Sequence, residues 1–144
     1  MNLKSRNIWL VVAALVLIGM LAAAVVVLSG GNDNDTTASV TPGIISPATY
    51  VSEFVDADRD HFLLDVRTPE EFEAGHIAGA VNIPVQVLDQ YLSSVPEDLD
   101  VVLYCRTGNR SQAAMEILNQ TGYDNVYDIE GGTVAWAAQN RPLE

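Results

Sequence analysis

The run Val101-Val102-Leu103-Tyr104-Cys105-Arg106-Thr107-Gly108-Asn109-Arg110-Ser111 holds the only cysteine of the chain. Its first four residues are apolar and open with two β-branched side chains, as in a buried strand. Polar residues and a glycine follow from Arg106, and a helical pattern begins at Ser111, with Ala113, Ala114, Ile117 and Leu118 on one face. A strand that stops at Cys105 and a helix that starts near Arg110 put the thiol in the crook of a tight strand-to-helix loop. Backbone N–H groups at a helix N-terminus point at such a site, and the helix dipole favours negative charge there. Arg106 and Arg110 add two positive charges, so every term favours thiolate over thiol. A lone cysteine is more often a small apolar core residue. Flanking arginines and a glycine have no use in that role, which favours an activated thiol.

Outward from this run, strands and helices alternate. Ser46-Pro47 reads as an N-cap followed by proline at the first helical position, and Tyr50, Val51, Phe54 and Val55 carry a helix of roughly ten residues. Phe62 to Val66 is a short buried strand. Thr68-Pro69-Glu70-Glu71 is a second capping pattern, opening a short helix that runs to Ala74 and stops at Gly75. Gly79 to Pro84 is a short strand closed by proline. Val87, Leu88, Tyr91 and Leu92 fall at helical spacing. After the helix beyond Cys105, stopped at Gly122, Asn125 to Ile129 is a strand and Gly131-Gly132 opens a last helix with Val134, Ala135, Trp136 and Ala138. The strands are short continuous apolar runs, which predicts an α/β domain with a parallel sheet covered on both faces. Sites in such sheets lie beyond the carboxyl ends of the strands, where Cys105 falls.

The beginning of the chain is different. Ile8 to Leu28 is an apolar run without a charge, about 30 Å long as a helix and so matched to a bilayer core. Lys4 and Arg6 precede it and the first charges after it are Asp33 and Asp35. This predicts a cytoplasmic N-terminus over 1–7, a single-pass signal-anchor helix over 8–28 and the remainder outside the cytoplasm. The alternative is a signal peptide cleaved at Ala22-Ala23-Ala24 and a secreted product; the apolar run is longer than a signal h-region, which favours the anchor. Residues 29–43 are small, polar and glycine-containing and read as a flexible linker with a reach of roughly 20 Å. The domain is expected over 44–142. The chain carries a net charge of −12, which disfavours nucleic acid as a partner. A single cysteine forms no intrachain disulfide.

Several stretches resemble the hallmarks of rhodanese-like domains. Asp65-Val66-Arg67-Thr68-Pro69-Glu70-Glu71-Phe72-Glu73-Ala74-Gly75-His76-Ile77-Ala78-Gly79-Ala80-Val81-Asn82-Ile83-Pro84 is similar to the first of them. Tyr104 to Ser111 resembles the active-site loop, and Gly122-Tyr123 and Glu130-Gly131-Gly132 with Trp136 resemble the C-terminal hallmarks. The resemblance runs from about Ile44 to Pro142 and is specific, because several motifs stand in order. It implies a three-layer α/β/α fold with a five-stranded parallel sheet. It also implies sulfurtransferase chemistry: a cysteine takes a sulfane sulfur from a donor such as thiosulfate, holds it as a persulfide, and gives it to a thiol or cyanide. Carried over, Cys105 is the nucleophile and Arg106, Thr107, Gly108, Asn109 and Arg110 form the cradle that binds the small anionic donor.

The residues support this chemistry independently. Attack on a sulfane sulfur needs a thiolate. Arg106 and Arg110 can orient an anionic donor, Gly108 permits a tight turn, and Thr107 and Asn109 can add hydrogen bonds or simply face solvent. Related phosphatases have a loop one residue longer than the four residues between Cys105 and Arg110, so the cradle here suits one sulfur atom better than a phosphate. Asp65 and Arg67 bracket a strand end near the site, where an ion pair would support the pocket. His76 reads as a hydrogen-bonded fold residue, His61 as a surface residue, Glu70 and Glu71 as helix-start acids, and Trp136 as core. No metal-ligand spacing or phosphate-binding glycine motif is present, so neither metal nor cofactor is expected. The second reading is a persulfide- or redox-sensing or protein-interaction module without turnover.

Overall fold

The computed structural model describes residues 40–144. The expected cytoplasmic segment, the membrane helix over 8–28 and the linker as far as residue 39 lie outside the described residues. Among the described residues, no helix is long and apolar enough to cross a membrane.

Five parallel strands form one sheet: β1 (Gly43–Ile45), β2 (His61–Asp65), β3 (Val81–Asn82), β4 (Asp100–Tyr104) and β5 (Val126–Ile129), in the order β1-β5-β4-β2-β3. The register places Asp65 opposite Tyr104 and Leu103 opposite Asp128. Side chains alternate across the sheet and build two cores. Leu64, Val66, Val101, Leu103, Cys105 and Val126 face one way and meet Ala114 and Leu118 of α3 (Asn109–Gln120). Leu63, Val102, Tyr104, Tyr127 and Ile129 face the other way. They meet Tyr50 of α1 (Pro47–Tyr50), Phe54 from the π-turn that continues it (Val51–Val55), and Trp136 of α4 (Gly132–Ala138). Helical elements therefore cover both faces of a parallel sheet, the three-layer arrangement expected. The remaining helix, α2 (Pro69–Glu73), has a complete capping box: Thr68 Oγ1 accepts from Glu71 N–H and Glu71 accepts from Thr68 N–H.

Three details differ from the sequence reading. The linker expected to end at Gly43 stops earlier, because Gly43 already pairs with Tyr127 and Val40 O accepts from the Tyr127 hydroxyl at 3.2 Å. The ordered chain also runs past residue 142: His76 and Glu144 exchange two backbone hydrogen bonds, each 2.9 Å. The expected helix over Val87 to Leu92 is instead two 3₁₀ turns, Val85–Gln90 and Leu92–Ser94. A 3₁₀ turn aligns residues three apart, so Val85 packs in line with buried Leu88; Tyr91 falls outside the first turn, which ends at Gln90, and is exposed.

Tyr123, just after α3, fastens this irregular segment. Its buried hydroxyl shares its proton between the carbonyls of Leu92 at 3.0 Å and Val95 at 2.9 Å. Tyr123→Phe removes both bonds and is expected to cost about 1–2 kcal/mol in urea unfolding of the full chain, while leaving the alkylation rate of Cys105 within about twofold, because the thiol loop is held by other contacts.

Candidate active site

β4 ends at Tyr104 and Cys105 follows, 1% exposed, at the carboxyl edge of the sheet. Gly108 is the N-cap of α3 with φ of +109°, a conformation open to glycine and costly for other residues. That turn directs Gly108 N–H at Cys105 Sγ, 3.1 Å away. The last helix clamps the loop from outside: Thr133 N–H donates to Cys105 O at 3.0 Å and Val134 N–H to Arg106 O at 3.2 Å. The approach is close because Gly132, at φ +54°, has no side chain; a Cβ there would overlap the Cys105 carbonyl.

Two influences compete at the thiol. Burial is the largest and opposes ionisation. The Ser111 hydroxyl and the backbone N–H groups of Ser111, Gly108 and Thr107 together outweigh it and hold the Cys105 thiol below its usual range. The helix N-terminus thus acts on sulfur as the sequence predicts. The arginines act less directly than expected. Arg110 forms a two-pronged ion pair with Glu71, at 2.6 and 2.8 Å, and also feels the Cys105 charge at short range. Arg106 is exposed and makes no ion pair among the described residues. The side chains of Thr107 and Asn109 are exposed, so Thr107 contributes through its backbone.

Asp65 and Arg67 form the expected ion pair and are both buried. The Asp65 carboxylate accepts from Arg67 backbone N–H at 2.9 Å, from Nε at 2.9 and 3.0 Å and from Nη2 at 2.6 Å. Arg67 Nη2 also donates to Gly75 O at 2.8 Å, and Asn82 Nδ2 donates to the carbonyls of Asp65 and Arg67. With its partners satisfied this way, the pair stiffens the end of β2 beside β4. An open pocket of about 230 Å³ lies next to the loop, with Arg67, Glu71, Arg106, Thr133 and Leu143 in its walls. Among the described residues, Arg67 and Glu71 carry partnered charges, which leaves Arg106 as the unpaired cation at its rim.

The other candidates take structural places. His76 stacks on Phe72 at 3.7 Å and its Nδ1 meets Phe72 O at 3.1 Å. His61 is half-buried rather than a surface residue, since its ring nitrogens reach the Tyr50 hydroxyl at 3.0 Å and Arg59 O at 2.7 Å. Trp136 is core, with Nε1 donating to Pro142 O. The sequence reading missed four contributors. Glu71 is more than a helix-start acid, because it holds Arg110. Ser111 belongs to the site itself; its position in the first turn of a helix behind a cysteine loop was the available signal. Gly132 sets the loop clamp, and Asp128 lies buried beneath the loop. Nothing in a strand pattern announces a buried acid.

The family model for the rhodanese-like domain matches residues 47–139. A protein named "Sulfurtransferase" from Allochromatium vinosum is 42% identical over 84 residues, covering 58% of this chain and 78% of that protein. The "Probable adenylyltransferase/sulfurtransferase MoeZ" of Mycobacterium tuberculosis is 34% identical over 110 residues, which is 75% of this chain and only 28% of that protein. Among solved structures, a rhodanese-related protein from Thermoplasma volcanium superposes with a TM-score of 0.62 at 34% identity, covering 73% of this chain and 98% of that one.

The Glu71–Arg110 pair gives the site an acid-sensitive fastening. Arg110 holds the Glu71 carboxyl down, from 4.5 to about 2. A depressed acid stabilises the fold above its unfolded pKa and loses that contribution as pH falls through its folded pKa, here between pH 4.5 and about 2. Because the pair is partly solvated, the contribution is on the order of 1 kcal/mol. Glu71→Gln is expected to lower stability by that amount at pH 7 and to flatten the stability profile across the acid window, as read by urea midpoints at several pH values.

Proposed function

Since the chain belongs to the rhodanese-like domain family, we propose that it is a sulfurtransferase in which Cys105 carries a sulfane sulfur from a small anionic donor to a thiol or cyanide acceptor. The observation that carries this reading is a buried thiol with a loop N–H on its sulfur at 3.1 Å and a lowered pKa. With thiosulfate as donor, the Cys105 thiolate attacks the outer, sulfane sulfur. A bond from Sγ to that sulfur forms, the donor's sulfur–sulfur bond breaks, and sulfite leaves with the bonding electrons. The outer sulfur of the persulfide is anionic, so loop N–H groups suit it as they suit the thiolate. An acceptor thiolate or cyanide then attacks that outer sulfur, and Cys105 leaves as thiolate. Neither step needs a metal, a cofactor or a proton held by the protein.

Arg106 is the group in place to meet an anionic donor, being at the pocket rim and without an ion pair among the described residues. Arg110 is held by Glu71 and tunes the loop field from behind. The short loop and the occupied Arg110 fork both disfavour phosphate, which needs that fork for its oxygens. The chain covers 28% of MoeZ, so that protein's adenylyl transfer is not carried over. The charge asymmetry around Ile8 to Leu28 supports a single-pass anchor with the domain outside the cytoplasm.

Full-length protein incubated with thiosulfate and cyanide is expected to release thiocyanate, and Cys105→Ser is expected to lose at least about a thousandfold in rate, as when a nucleophile acting as one unit with its site is removed. Equal rates for the two proteins would sink the assignment. A one-sulfur mass gain on Cys105 without thiocyanate would favour the sensing module instead. For topology, protease added to spheroplasts with an intact cytoplasmic membrane is expected to degrade the domain; protection until that membrane is lysed would refute the placement outside the cytoplasm.

A further inference from the structure

Asp128 is fully buried, and neither carboxylate oxygen has a hydrogen-bond partner among the described residues. A buried ionised carboxylate without partners is too costly to be incidental. Its place is specific. Asp128 lies opposite Leu103 in the register, and Cys105 follows Leu103 by two residues on the same face of β4. Strand spacing and rise then put the two Cα atoms roughly 8 Å apart on a diagonal. Ser111, in the first turn of α3, is also fully buried and acts on both Cys105 and Asp128. Its hydroxyl donates to Gly108 O at 2.9 Å, which holds Ser111 in the turn between the thiol and the acid.

The surroundings hold little other charge. β1 presents Ile44 at the register position, β4 presents Leu103 and then Cys105, and α3, which packs on β5, presents Ser111. On its own strand, Tyr127 and Ile129 face the opposite core. Burial is the main influence on the Asp128 carboxyl, followed by the Ser111 hydroxyl, and among the described residues no cation pairs with it. Arg110, paired with Glu71, is a charged side chain that acts at Cys105.

We propose that Asp128 is a positioning residue that completes a buried row, Cys105–Ser111–Asp128, in which one negative charge is favoured, on sulfur or on the carboxylate, and a second is resisted. While Asp128 is neutral it leaves the thiolate undisturbed. Once ionised, it opposes the thiolate through a low-dielectric gap. Burial pushes Asp128 up to about 6, so the switch falls in the range where small pH changes matter. The inference rests on Cys105 being the reacting thiol, not on which sulfur compound it meets.

The test is the pH profile of Cys105 alkylation by iodoacetamide in the full chain, which needs no sulfur donor and so stays separate from the transfer assay. In Asp128→Asn the amide keeps the shape but carries no charge. The alkylation midpoint is expected to fall by about one pH unit. An unchanged or raised midpoint overturns the proposal. Should that variant fail to fold, the wild-type protein answers by carbon NMR of the Asp128 carboxyl. Its titration is expected to show an inflection near pH 6 and a second that coincides with thiolate absorbance and vanishes in Cys105→Ser. A single inflection in the ordinary carboxylate range, or a second one that persists without the cysteine, overturns it equally.

Discussion

The hydrogen bond from Thr133 N–H to the Cys105 carbonyl is the contact around which the site is arranged. Cys105 has just left β4, and its carbonyl would otherwise be an unsatisfied group at the edge of a core. By taking that carbonyl outward, α4 turns the rest of the residue inward, toward Gly108, Ser111 and the first turn of α3. The contact requires Gly132 to lie against the loop backbone, which is why a residue without Cβ stands there. One backbone bond thus links the two C-terminal elements to the thiol, and the loop's N–H groups converge on sulfur as a consequence.

Charge around this loop is partitioned with the same economy. Asp65 satisfies Arg67 and Glu71 satisfies Arg110, so neither guanidinium is available as a free anion receptor. What stabilises the thiolate is mainly neutral: a hydroxyl and backbone dipoles, preorganised by the turn at Gly108. Dipoles fixed by the fold need no rearrangement when charge moves from Sγ to an outer sulfur one bond away, whereas a paired side chain would have to trade partners.

Much of this was legible in the chain. The β-branched run into Cys105, the Thr68 capping box and the Gly131-Gly132 opening each encode local geometry, and each appears where its residues place it. The Asp65–Arg67 pair was readable because both residues flank a strand end. The irregular segment after Pro84 was misread because a helical spacing of four apolar residues also fits successive 3₁₀ turns, and only packing against the sheet decides between them. The short strand at Gly43 has no pattern of its own; it exists because β5 offers an open edge. Glu71 and Asp128 were invisible as site residues for a related reason. Their roles depend on partners far away in sequence, Arg110 for one and the buried face beneath the cysteine loop for the other.

The pairing of β1 with β5 also has a consequence for how the domain is made. During synthesis β1 is among the first of the described segments to leave the ribosome, yet its strand partner among the described residues is among the last. The central strands β2 and β4 can associate earlier, but β4 lacks its second neighbour until β5 arrives. A contact so distant in sequence closes late, after the entropy of the intervening chain has been overcome. Until then β4 exposes an edge, and the thiol at its end lacks the α4 clamp. Protection of the reactive sulfur is therefore acquired only as the last helix docks, and an interrupted chain would display that sulfur unguarded.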